Sequence, residues 1–281
     1  MNLIAAILHF GLALFFVVFF IRLNQAYPRH PLPGAELSVK DHTLDLETDV
    51  SGSLIINWTS TNVTTVPVTT LQIMLISFFF ITGCFHLFYY MTNDEYERVI
   101  HRQNNFYRWI EYAITSTVML YIMTLVTGTK DTGVYMMLVS SNVAMISLGQ
   151  MVEDAVRTGG NWLLPMCVSF LLLLMEFSVI ARNFWGRIGQ ISTFLKTQLQ
   201  NPKVNSLYVP GWLKPMVIVL FLFYISFGLF SFYASYHNLD YELVETVYII
   251  LSFVSKATLG AFVGYGLGLR QEGLLTPSTS L

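Results

Sequence analysis

The stretch Tyr248-Ile-Ile-Leu-Ser-Phe-Val-Ser-Lys-Ala-Thr-Leu-Gly-Ala-Phe-Val-Gly264 is apolar apart from one charged residue, Lys256, near its middle. It belongs to a longer run, Leu243 to Leu269, which exceeds the roughly 20 residues a helix needs to cross a bilayer. A lysine at the centre of such a helix costs roughly 2.5–3.5 kcal/mol on insertion scales, so it needs a partner or a purpose. Snorkelling does not relieve it, because Lys256 sits about twelve residues from either end, roughly 18 Å at 1.5 Å per residue. One use is chemical: an amine in apolar surroundings can lose its proton and condense with an aldehyde to form a Schiff base. Tyr248, Ser252 and Lys256 follow at helical spacing, so two hydroxyl groups share the lysine's face. The alternative is a lysine paired with a buried carboxylate for packing alone.

The whole chain fits this reading. It is 54% hydrophobic and only 11% charged, against about 25% charged in soluble domains, which makes it a membrane protein embedded in lipid. A net charge of −2 gives no sign of nucleic-acid binding. Cys84 and Cys167 both fall in apolar runs, where a structural disulfide is not expected. The first apolar run has no basic leader and no small-residue cleavage site, and it reads as a retained span.

Seven segments can each span the hydrocarbon: Leu3 to Ile21, Leu71 to Met91, Tyr107 to Val126, Val134 to Val156, Trp162 to Ala181, Pro215 to Ser235 and Leu243 to Leu269. The expected fold is an all-α bundle of seven membrane helices, a single domain over residues 1–281. Gly83, Gly128, Gly149, Gly228, Gly260 and Gly264 punctuate the spans and read as close-packing positions between helices.

The long first loop, 22–70, opens with Pro28, Pro31, Pro33 and Gly34 and then turns acidic. The β-prone Leu54-Ile-Ile-Asn-Trp-Thr and a threonine-rich run follow, a pattern that suits a small β-hairpin capping the bundle. Asn57-Trp-Thr and Asn62-Val-Thr are glycosylation sequons and favour a luminal or extracellular loop. The connection from Arg182 to Lys214 is the next longest and is basic. Lysine and arginine are concentrated on the side of the membrane that carries the first loop, which by the positive-inside rule would place the N-terminus outside. Sequons and charge therefore point in opposite directions.

Charged and imidazole groups inside the spans narrow the function. Glu111, in the third span, needs a partner inside the bundle, and Lys256 is the obvious one. A carboxylate counterion would keep a Schiff-base nitrogen protonated in a low dielectric. Arg108 and Thr115 share a helical face with Glu111 and could flank it. Thr82 and His86 stand one turn apart in the second span, and an imidazole beside such a nitrogen can accept its proton. His9 lies close to the N-terminus and carries less weight. Glu176 in the fifth span is buried or paired with Arg182, six residues on, while Glu153 and Asp154 close the fourth span at the interface. Tyr112, Met145, Phe170, Tyr224, Phe227 and Tyr248 could line a flat conjugated ligand. The chain has no metal-ligand spacing, phosphate-binding glycine loop or serine elbow, so it does not read as an enzyme. A retinal protein is the most economical account.

At this point the residues resemble a known family. Arg108-Trp109-Ile110-Glu111-Tyr112, the Thr82 to His86 spacing, Asn142, Met145 and Gly149 in the fourth span, and Ser252 with Ser255-Lys256-Ala257 in the seventh are similar to those of heliorhodopsins. The resemblance covers all seven spans and the long first loop. It implies all-trans retinal on Lys256, with Glu111 as its sole counterion. It places Ser252, His86, Thr82 and Arg108 in the polar network. The pocket would be formed by Trp109, Tyr112, Ser116, Asn142, Met145, Gly149, Tyr224, Phe227 and Tyr248. Further implications are a cytoplasmic N-terminus, an extracellular C-terminus and a homodimer. Thr82 stands where the family commonly has serine, and the hydroxyl is kept. Other microbial rhodopsins usually carry aspartates at the positions of Glu111 and Ser252, which argues against a conventional proton pump here.

The expected function is light reception, with retinal isomerising from all-trans to 13-cis and the bundle passing the change to a downstream signalling partner. The alternative is a light-gated proton channel, as in some viral heliorhodopsins, with Glu176 and Glu153 extending a polar path from Glu111.

Overall fold

The computed structural model describes residues 1–26, 37–48, 54–66, 68–127, 131–198 and 213–271. Gly128, the 27–36 start of the first loop and the 199–212 part of the basic connection lie outside them. The described helices are α1 (Asn2–Ala26), α2 (Val68–Met91), α3 (Asn93–His101), α4 (Phe106–Val126), α5 (Thr132–Thr158), α6 (Leu163–Gln198), α7 (Leu213–His237) and α8 (Tyr241–Gln271). Two strands, β1 (Leu37–Thr48) and β2 (Leu54–Val66), pair antiparallel in the first loop, with an irregularity in register at Asp41/His42.

Seven of the helices are long and apolar enough to cross a membrane, and each lies within a few residues of its expected span. The long apolar runs fold as helices because lipid offers no partner for backbone N–H and C=O groups. The ends have local causes. The Asn105 side chain accepts from the Arg108 N–H at the start of α4, and Asp131 accepts from Val134 N–H at the start of α5. The α5 helix stops at Gly159, whose φ of 70° is a left-handed closure that glycine makes without strain.

Two differences from the sequence reading concern helix beyond the membrane. The basic connection after Ala181 is not all loop, because α6 continues to Gln198. The polar α3 caps the turn between the second and third spans.

Each span packs on its neighbour in chain order, and α8 returns to α1, closing a ring. Tight helix approach depends on glycine facing aromatic rings. A Cβ on Gly260 or Gly264 would come within 2.9 Å of Phe16 on α1, and one on Gly83 would meet Phe10 at 2.8 Å. These contacts bear out the close-packing reading for Gly83, Gly260 and Gly264. Alternation of direction puts the N-terminus, α3 and the α7–α8 turn at one end of the bundle, and the first loop at the other.

Candidate functional site

α8 carries Lys256 to the middle of the ring, where its Nζ donates to Glu111 Oε1 on α4 at 3.0 Å and to Thr82 Oγ1 on α2 at 2.8 Å. Lys256 is only 4% exposed, Glu111 1% and Thr82 fully buried. Burying an ion pair this deeply is seldom a gain in stability, so the arrangement points to chemistry more than to packing. The Thr82 hydroxyl donates a hydrogen bond to the Phe78 carbonyl one turn back, leaving its lone pairs to accept from the amine.

The lysine stands at the head of a largely apolar cavity. Its walls come from α4 (Trp109, Tyr112, Thr115, Ser116, Met119), α5 (Met145, Ile146, Gly149, Val152) and α6 (Met166, Ser169, Phe170, Leu173). From α7 come Tyr224, Phe227, Gly228 and Ser231, and from α8 Tyr248, Ser252 and Ser255. Phe227 and Tyr248 stack at 6.1 Å with an interplanar angle of 15°, and Tyr112 meets both edge-on. Tyr112 is fixed by donating to the Tyr248 carbonyl at 3.1 Å. Gly149 makes room for the Trp109 ring, since a Cβ there would lie 2.5 Å from it. A buried amine with an adjacent carboxylate, opening on flat aromatic walls, suits a rigid conjugated aldehyde.

Of the pocket residues expected from the sequence, Trp109, Tyr112, Ser116, Met145, Gly149, Tyr224, Phe227 and Tyr248 line the cavity. Asn142 is not among its lining residues. It ties α5 to α4, its Nδ2 donating to Ser116 Oγ and Thr117 Oγ1 at 2.9 Å each.

Ser252 is buried in the wall as expected, but two members of the expected polar network sit elsewhere. Arg108 is not bonded to Glu111: its guanidinium is held by Glu153 of α5 and Glu245 of α8. Side chains on a helix lean toward its N-terminus, so Arg108, one turn before Glu111, reaches away from it. Trp109 Nε1 and the Tyr241 hydroxyl also donate to Glu153, at 2.9 and 3.1 Å. Glu153, near the end of α5, is thus held in an ion-pair cluster at the N-terminal end of the bundle. Glu245 escaped the sequence reading, although a carboxylate one turn inside an apolar run was its signal.

His86 is not hydrogen-bonded to Lys256; its Nδ1 lies 3.3 Å from Asn2 Oδ1, and its ring stacks on His9 at 5.4 Å. His9, discounted for its nearness to the N-terminus, is fully buried. Glu176 is also fully buried while Arg182 is exposed, so the pairing expected between them is not made.

The heliorhodopsin family model matches residues 1–267. The chain belongs to the heliorhodopsin family. A search of curated proteins gave no match. Heliorhodopsins are retinal-binding, light-sensing rhodopsins, and the seven apolar helices make this one an integral, multi-pass membrane protein.

Proposed function

We propose that this heliorhodopsin is a light receptor whose chromophore is all-trans retinal joined covalently to Lys256 Nζ. The observation that carries the reading is the buried Lys256 amine, 3.0 Å from Glu111, at the head of an aromatic cavity. Retinal, when bound, supplies the visible absorption and the light-driven change of shape from all-trans to 13-cis.

The chain's own residues do the rest. Glu111 balances the positive charge at Nζ, where water is excluded and Coulomb attraction is strong. Thr82 Oγ1 gives Nζ a second acceptor, and Ser252 shares the lysine's face of α8. The stacked His86 and His9 lie beyond Thr82, on α2 and α1, and can take up a proton released at Nζ. Tyr112, Phe227 and Tyr248 fix the plane of the ligand, and Trp109 against Gly149 bounds its side.

Signalling is favoured over proton transport because Glu153, one member of the suggested path, is bound to Arg108 and is not a free relay. We further propose a single functional unit acting as a homodimer, with the N-terminus cytoplasmic and the C-terminus extracellular. In that orientation the strand pair caps the outer mouth of the bundle, where α1 and α2 end and begin, and both sequons lie outside. Borohydride reduction of the retinal-loaded protein, followed by peptide mass analysis, tests the attachment. The adduct is expected on the Lys256 peptide, and an adduct on another lysine would refute it.

A further inference from the structure

One carboxyl group inside the bundle has no part in the scheme above. Glu176 lies on α6 in the stripe that carries the wall residues Ser169 and Leu173, one turn beyond Leu173. It is 0% exposed, and neither of its oxygens has a hydrogen bond of ordinary geometry. The groups facing it are few. α5 presents the Ser141 hydroxyl, itself without an ordinary hydrogen bond. α7 presents Tyr224, a wall residue whose ring lies 5.1 Å from that of Phe177, Glu176's neighbour in the chain. The Tyr224 hydroxyl reaches the Ser116 carbonyl on α4 at 3.3 Å. Among the described residues no lysine or arginine pairs with Glu176. An ion without a partner in such surroundings is costly, and the uncharged acid is the form the site accommodates.

We propose that Glu176 is a chromophore-tuning residue, an acid behind the α6 and α7 wall of the cavity that acts through the wall residue Tyr224 on the colour of the pigment. The proposal rests on retinal being joined to Lys256. In this scheme Glu111 stands beside the nitrogen of an elongated conjugated cation, and Glu176, behind Tyr224, stands toward its other end. Excitation moves positive charge away from the nitrogen. Glu111, beside the nitrogen, resists that movement and raises the excitation energy, whereas a negative charge at the far end assists it and lowers the energy. Uncharged, Glu176 leaves the colour to Glu111; ionised, it draws the absorption to longer wavelength. Among the described residues, Tyr224 on α7 is the titratable group that faces it, and α5 presents Ser141.

The test is a pH titration of the visible band in the full-length protein loaded with all-trans retinal, comparing wild type with Glu176→Gln. The wild-type band should move to longer wavelength as pH rises, while Glu176→Gln should keep the low-pH colour throughout. A Glu176→Gln band that moves as the wild type does, or a wild-type band that does not move, would overturn the proposal. If Glu176→Gln yields no pigment, Glu176→Asp, which draws the acid back from Tyr224, serves instead; its shift should shrink, and an undiminished shift also counts against the proposal. A wild type without any visible band would overturn the retinal reading and this inference with it. A band that responds to Glu111→Gln but to neither Glu176 variant would overturn this inference alone.

Discussion

Lys256 Nζ and Glu111 Oε1 meet at 3.0 Å across α8 and α4, with both side chains almost completely buried. Each charge makes the other tolerable in the membrane interior, and together they define the head of the cavity. Removing one partner strands the other, at a cost typical of a broken buried pair, about 3–5 kcal/mol.

Glu111→Gln keeps the shape of the side chain and removes its charge. The absorption of the retinal-loaded variant at neutral pH should depart markedly from wild type, and the ligand-free variant should unfold at lower temperature in detergent. An unchanged spectrum would take Glu111 out of the counterion role.

Arg108→Gln leaves Glu153 and Glu245 facing each other without their shared cation. The stability loss should again be about 3–5 kcal/mol, read by thermal unfolding. The colour should stay near wild type, because Arg108 bonds to neither Lys256 nor Glu111. A spectral change as large as that of Glu111→Gln would restore Arg108 to the network around the lysine.

Gly149→Ala places a methyl where the Trp109 ring now lies. Overpacking of this kind costs about 1–3 kcal/mol, and pigment yield should fall. Pairing it with Trp109→Phe should recover part of the loss, since neighbouring substitutions couple. If the two losses simply add, the contact is not what limits the pocket.

Voltage-clamp recording of illuminated cells that contain the pigment separates reception from transport. We expect a coloured but electrically silent protein. A photocurrent whose reversal potential follows the proton gradient, and which Glu176→Gln reduces, would make transport the function.

Much of this was legible in the sequence because lipid imposes strong rules. Apolar runs of the right length had to be helices, and Lys256 and Glu111 were conspicuous because a charge inside a span needs a reason. Spacing alone misled where side-chain direction decides. Arg108 shares a face with Glu111, yet its long side chain leans back to Glu153 and Glu245. Asn142 sits one turn from Met145, but the cavity ends between them, and the amide binds α4 instead. His9 was undervalued because distance from the N-terminus says nothing about depth in the bundle; α1 starts at Asn2, and both residues are buried beside His86. The run of α6 past the membrane was hidden because hydropathy marks where a span ends, not where a helix does.

The central claim is most directly tested by adding all-trans retinal to purified wild type and Lys256→Ala and recording the visible spectrum of each. The account predicts a protein-bound visible band in wild type and none in Lys256→Ala, with Glu111→Gln coloured but shifted. A visible band of wild-type position and strength in Lys256→Ala would contradict it.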